Sequence, residues 1–229
     1  MSSITLSKIV MYAASMLIGT TGILFTLLNR RTDKQQNKLY LAMLVILDLN
    51  CMSEILAACN NIRAAVSPVA AMAVRFGHFS YFLLHSIVPS IFLFYVLYVC
   101  GANLNGKRKR YMLVTIPAFV IEAIVLLNPA TKWMYYYDRN MVYHRSWGLM
   151  VIYVLSGLYM AMAIFILLFS WKALNNKRRA ALIYFFSLGI IGICVQLVNY
   201  EIRTELLSEA LGLLGVTDSE NSMTLKFSS

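Results

Sequence analysis

The sequence contains little charge and few of the residues that interrupt helices. Only 13% of its 229 residues are charged, with 10 Asp and Glu against 20 Lys and Arg, and there are 4 prolines. Hydrophobic residues other than glycine make up 60% of the chain, whereas a soluble domain has roughly 45 to 50% apolar residues with glycine counted. This composition excludes an ordinary soluble fold, and the mean hydropathy of +0.68 indicates that apolar side chains face lipid.

The signatures of several membrane functions are also missing. The 4 cysteines form no C-x-x-C pair and no zinc-like spacing with histidine. No apolar run contains the lysine that a retinal Schiff base needs, and the 3 histidines are too few for a di-haem cytochrome. There is no H-E-x-x-H, no G-x-S-x-G and no glycine-rich phosphate loop. We therefore expect a protein that is not an enzyme and that carries no cofactor or metal.

Long apolar runs make up most of the sequence. Six have about the length that crosses a bilayer, namely Ile9 to Leu28, Leu39 to Cys59, Phe76 to Cys100, Tyr111 to Leu127, Trp147 to Trp171 and Ala181 to Tyr200. A seventh, Leu206 to Val216, would cover only about half of the hydrocarbon core. The sequence predicts an all-α polytopic membrane helix bundle at residues 1–216, with six full transmembrane helices and a partial seventh. A polar, disordered tail is expected at residues 217–229.

Basic residues indicate the orientation. Three alternate loops hold twelve of them: Arg30, Arg31, Lys34, Lys38, Lys107, Arg108, Lys109, Arg110, Lys172, Lys177, Arg178 and Arg179. Loops rich in Lys and Arg stay in the cytoplasm, so the N-terminus is expected outside. Because these residues lie in short loops between apolar runs, they orient the chain, and we expect no nucleic-acid binding.

Ionisable residues within the apolar runs are the candidate functional residues, because such residues are expensive in a bilayer. Counted from the cytoplasmic ends, Glu54 and His85 lie at similar depth and are predicted to pair, with Arg75 and His78 as an outer cap. Two interpretations stay open: a hydrogen-bond network that holds the bundle together, or a proton-responsive or anion-binding pocket. Pro89 is expected to kink the third run just below this group.

The outer segment from Asn128 to Ser146 is dense in aromatic residues. Such residues form a belt at the headgroup level, and they also line ligand sites where polar groups converge beside them. The predicted ligand site comprises Glu54, Arg75, His78, His85, Trp133, Tyr136, Asp138 and Arg145.

Two stretches carry a likeness to a known family. They are Phe82-Leu83-Leu84-His85-Ser86-Ile87-Val88-Pro89, followed by Ile116-Pro117, and the outer stretch Leu127-Asn128-Pro129-Ala130-Thr131-Lys132-Trp133 with Tyr136, Tyr137, Asp138, Tyr143 and Arg145. Over residues 5 to 216 the chain resembles the N-terminal seven-helix membrane sensor region of bacterial GGDEF proteins (diguanylate cyclases) and related histidine kinases. In that family the last helix leads into a cytoplasmic output domain.

The resemblance implies a sensory or receptor module that responds to an extracytoplasmic signal in the bacterial cytoplasmic membrane. No GGDEF signature or kinase box follows Val216, so cyclase activity is not carried over. We expect a truncated product or a stand-alone sensor half, with the lipid bilayer, an unknown extracytoplasmic ligand and either a second copy or a separate output protein as partners. After six crossings the tail is expected to stay outside unless a partner helps the partial helix to cross. A small-solute transporter or channel-like protein is the alternative function.

Overall fold

Helices form the core of the structure, a computed structural model that describes residues 3–28, 35–101, 108–198 and 204–221. Within these ranges the helices are α1 (Ser3–Leu28), α2 (Gln35–Asn60), α3 (Pro68–His85), α4 (Val88–Val99), α5 (Arg108–Thr131), α6 (Trp147–Phe169), α7 (Asn176–Val198) and α8 (Thr204–Asn221). Short 3-10 turns occupy Asn61–Arg63 and Trp171–Ala173. One antiparallel hairpin, β1 (Tyr135–Tyr137) and β2 (Tyr143–Arg145), lies between α5 and α6.

Five helical segments of the described chain are long and apolar enough to cross a membrane. They are Ile4–Leu28, Gln35–Arg63, Pro68–Val99, Val114–Thr131 and Trp147–Phe169. They coincide with the first five predicted runs and support an all-α membrane protein. The sixth run forms α7, which ends its described part at Val198 and is not among the five.

The third predicted run is interrupted. Instead of one helix from Phe76 to Cys100, the chain forms α3 and α4, with a turn at Ser86 and Ile87 between them. Pro89 at the start of α4 has no N–H to donate to the preceding turn, so the helix is broken at the place where the sequence predicts a kink.

The last helix is longer than the apolar run that predicted it. The run ends at Val216, but α8 continues to Asn221, and its 18 residues span about 27 Å at 1.5 Å per residue. Polar residues can extend a helix beyond its buried part, since the backbone hydrogen bonds are local. The predicted boundary at residue 217 therefore falls inside α8, and residues 222–229 lie outside the described part of the chain.

The α8 helix packs antiparallel against α7. A Cβ built on Gly192 would lie 2.5 Å from the Ser208 side chain, and one built on Gly212 would lie 2.8 Å from Phe185. Small residues thus let the two helices approach closely. Further along α8, the Leu213 carbonyl accepts a hydrogen bond of 3.0 Å from the Tyr40 hydroxyl of α2.

The bundle therefore has two distinct ends. The hairpin, the start of α1 and the start of α8 lie at one end, which we call the hairpin end. Lys38, Lys172, Lys177, Arg178 and Arg179 lie at the starts or ends of helices at the opposite end. Arg30, Arg31, Lys34 and Lys107, which also contributed to the predicted orientation, lie outside the described residues.

Candidate functional site

The hairpin is held to the bundle by Asn128 near the end of α5. Asn128 is only 3% exposed, and its Oδ1 accepts the N–H of Met134 at 2.7 Å and of Tyr135 at 3.3 Å. Its Nδ2 donates to the Tyr135 carbonyl at 3.2 Å. These bonds pair buried backbone groups of Met134 and Tyr135 that are not paired within a helix or a sheet. Lys132, with φ of 58°, turns the chain from α5 into this contact.

Asp138 organises the turn of the hairpin. Its Oδ1 accepts the N–H groups of Asn140 and Val142, each at 2.9 Å, and its Oδ2 lies 3.4 Å from Nε2 of His144. The hydrogen bond from Val142, followed by those from His144 and Asn140, holds the pKa of the Asp138 carboxyl below its ordinary value. Met141 takes a φ of 61° inside this turn.

Aromatic rings dock the hairpin onto α3. The Tyr135 ring stacks on Phe82 with centroids 5.0 Å apart. The His78 ring stacks on Tyr137 at 6.1 Å, and its Nδ1 is hydrogen-bonded to the Tyr137 hydroxyl. Tyr143 meets the His78 ring edge-on at 5.6 Å. The hairpin thereby forms part of the wall of a cavity beneath it.

That cavity has a volume of about 1130 Å³ and is lined by α1, α2, α3, α4, α6, α7, α8 and the hairpin. Most of its lining side chains are apolar, among them Tyr12, Phe92, Ile152, Met160, Phe185 and Phe186. Its size exceeds the usual range for small-molecule pockets, roughly 300 to 1,000 Å³. Lys8 of α1 and Arg145 of β2 line it at the hairpin end.

A group of polar side chains from α2, α3 and α8 forms one part of the cavity wall. The Tyr81 hydroxyl donates to Glu205, and the Tyr81 ring stacks on His85 with centroids 5.1 Å apart. His85 in turn lies 4.0 Å from Glu205 through Nε2 and 3.9 Å from Glu209 through Nδ1. Glu54 of α2, only 4% exposed, lines the same cavity. We call Glu54, Glu205 and Glu209 the acidic cluster.

The structure brings together half of the predicted ligand residues. Glu54, His78, His85 and Arg145 line the cavity. The other four do not line the cavity and lie in or near the hairpin, namely Arg75, Trp133, Tyr136 and Asp138. A side-chain nitrogen of Arg75 lies 3.6 Å from the Met141 sulfur. The Trp133 ring lies 5.7 Å from the Trp147 ring, and the Tyr136 ring stacks on His144. Glu54, the predicted partner of His85, lines the same cavity, and the carboxyl groups of Glu205 and Glu209 on α8 lie 4.0 and 3.9 Å from the ring nitrogens of His85.

Glu205 and Glu209 are the site residues that the sequence analysis missed. Glu205 directly precedes the seventh apolar run, and Glu209 lies within it. Their spacing carries a usable signal, because residues four apart on a helix project from the same face. Two acidic residues on one face of an otherwise apolar helix indicate an interior position.

Other ionisable residues in the helices have structural partners. Asp48 accepts a 2.8 Å hydrogen bond from Thr20, which joins α1 to α2. Glu122 accepts one from Ser86 at 2.5 Å, which joins α5 to the break between α3 and α4. Neither lines the cavity. These contacts fit the interpretation of a network that stabilises the bundle, whereas Glu54 and His85 face the cavity.

Among the described residues, no group of three His, Cys, Asp or Glu side chains is arranged to bind a metal ion. The cavity wall combines carboxyl groups, imidazoles and aromatic rings with apolar side chains, as pockets for small organic molecules do. No protein-family model, no curated protein and no solved structure matches this chain.

Proposed function

We propose that this chain is a membrane-embedded sensory module that binds an extracytoplasmic ligand in the cavity beneath the hairpin and relays the binding through α8. The observation that supports this most is that Glu205 and Glu209 of α8 form part of the cavity wall. A ligand seated there touches α8 directly. Because α8 runs from the hairpin end towards the opposite end, a displacement at the ligand is carried across the bundle.

The mechanism is a shift between two positions of α8 relative to the other helices. A ligand favours one position only if it contacts that position better, and the cavity provides such contacts on α8 together with α3 and α6. The output then lies with another protein or a second copy at the cytoplasmic side. The resemblance to the sensor regions of GGDEF proteins supports the same role for the last helix.

The proposal is tested with spin labels on α8 and α6 in lipid nanodiscs. Leu214 and Leu168 are both exposed, so cysteines placed there carry labels without entering the core. A panel of small organic metabolites is first screened for compounds that raise the melting temperature. A stabilising compound should then change the distance between the two labels by several ångströms.

The same compound is tested for transport in proteoliposomes. A sensor leaves the compound outside the vesicle, whereas a transporter accumulates it or exchanges it. Flux of the stabilising compound, or binding without any change in the label distance, would overturn the proposal. Flux would identify the alternative function, a small-solute transporter.

A further inference from the structure

We propose that the acidic cluster binds an organic ammonium group, so that the ligand of this cavity is an organic cation with an apolar part. The inference rests on the proposed function and names the chemical class of the ligand. It is carried by the acidic side chains, their burial and the aromatic rings in the cavity wall.

Acidic side chains outnumber basic ones around the acidic cluster. Glu54, Glu205 and Glu209 line the cavity, and His85 lies within 4.0 Å of the two carboxyl groups on α8. Lys8 and Arg145 also line the cavity, near the start of α1 and on the hairpin. A bound cation would favour the ionised form of the carboxyl groups that it contacts.

Glu209 points independently to a ligand. Its side chain is only 10% exposed, and its buried Oε1 has no hydrogen-bond partner among the described residues. A buried carboxylate oxygen without a donor is costly, because water is lost and nothing replaces it. An ammonium group in the cavity would donate to this oxygen, and its positive charge would offset the repulsion between Glu205 and Glu209.

Aromatic faces complete the environment that an ammonium group prefers. Phe92 stacks on Phe185 at 4.2 Å and meets Phe186 edge-on at 5.4 Å, and all three rings line the cavity. Tyr81 lies directly beside Glu205. Ring faces attract cations, especially where water is excluded, and they pack against alkyl or aryl groups as well. The combination favours an organic cation over a hydrated inorganic one.

The test is isothermal titration of the purified chain in nanodiscs of zwitterionic lipid, with benzylammonium as the probe, because its N–H groups can donate to Glu209. Benzenesulfonate, an anion of similar size, serves as the matched compound at equal ionic strength. We expect heat of binding from the cation alone. Glu209→Gln removes the charge and keeps the shape, and it should weaken binding at least about tenfold.

Two further variants make the test specific. Glu205→Gln should also weaken binding, and it replaces Glu209→Gln if that variant does not fold. Asp48→Asn is the control, because Asp48 is held by Thr20 outside the cavity and its loss of charge should leave binding unchanged. Equal binding of benzenesulfonate, no binding of benzylammonium, or an effect of Asp48→Asn as large as that of Glu209→Gln would overturn the ligand class.

The spin-label distance separates this inference from the proposed function. Charge-dependent binding of the cation without movement of α8 supports the ligand class and contradicts the sensor. Movement of α8 with an anionic or neutral compound, together with no binding of the cation, supports the sensor and contradicts the ligand class.

Discussion

Asp138 stabilises the hairpin through its charged form. The hydrogen bonds from Val142, His144 and Asn140 favour the carboxylate, so its pKa is lower in the folded chain than in the unfolded one. The resulting stabilisation is fully present above the ordinary pKa of an aspartate, about 4, and is lost as the pH falls through the lowered folded pKa. The turn is therefore sensitive to acid.

We predict that acid opens the turn without detaching the hairpin. Between about pH 7 and about pH 2, the amides of Asn140 and Val142 should lose hydrogen-exchange protection, after correction for the intrinsic rate at each pH. The Met134 amide is the internal control, because its acceptor is the uncharged side chain of Asn128. Parallel loss of protection at Met134 and Val142 would show that Asp138 does not govern the turn.

For single residues, the sequence predicts which ionisable side chains lie inside the bundle. It does not predict which of them only stabilise the bundle and which line the cavity. Asp48, Glu54 and Glu122 all stand out as ionisable residues in apolar runs. Only the contacts distinguish them, because Asp48 and Glu122 accept hydrogen bonds from hydroxyls of neighbouring helices and Glu54 lines the cavity. The partners come from other helices, so no local pattern reveals them.

At the scale of elements, Gly77 sets the distance between α2 and α3. A Cβ built there would lie 2.6 Å from the Ser53 carbonyl oxygen and 3.1 Å from the Ala57 Cβ. The first of these atoms belongs to the backbone of a helix and cannot rotate away. Close contact between these two helices thus requires glycine at this position.

Replacing Gly77 by alanine should push the two helices apart. We expect Gly77→Ala to destabilise the protein by about 1 to 3 kcal/mol, seen as a lower melting temperature in detergent. Gly157→Ala in α6 is the matched control, since nothing lies within 4 Å of its Cβ, and it should be neutral or stabilising by up to about 1 kcal/mol. Similar melting of the two variants would contradict the close contact.

Hydropathy does not predict where all the helices begin and end. Residues 76–100 form one continuous apolar run, yet the helix is broken at Ser86 and Ile87. Pro89 lacks the N–H that would continue the helix, and a hydropathy scale does not include this property. Similarly, α8 extends past Val216 into polar residues, because a helix is maintained by its backbone hydrogen bonds.

At the scale of the whole molecule, the orientation in the membrane can be measured directly. In a background without the four native cysteines, Tyr136→Cys on the exposed side of β1 should react with a membrane-impermeant maleimide added to intact cells. Lys177→Cys at the opposite end should react only after the cells are permeabilised. The reverse pattern would contradict an N-terminus outside.

The position of α8 also leads to a prediction for the end of the chain. Since α8 runs antiparallel to α7 and ends away from the hairpin, we predict that a reporter active only in the cytoplasm works when fused after Ser229. This replaces the sequence-based expectation of a tail left outside. A fusion of the same reporter before Ser3 is the control and should be silent. An inactive fusion after Ser229, with normal expression, would show that α8 does not cross.

By itself the sequence determined the apolar character of the chain, its helical class and the first five candidate membrane spans, because apolar character over a bilayer thickness is a property of consecutive residues. The tertiary structure alone decided which side chains meet. Tyr81 and Glu205 lie 124 positions apart in the chain, and they come together only because α8 folds back along the bundle to α3. The cavity, its acidic cluster and the position of α8 depend on such distant contacts, whose energies are set by burial and geometry rather than by local sequence.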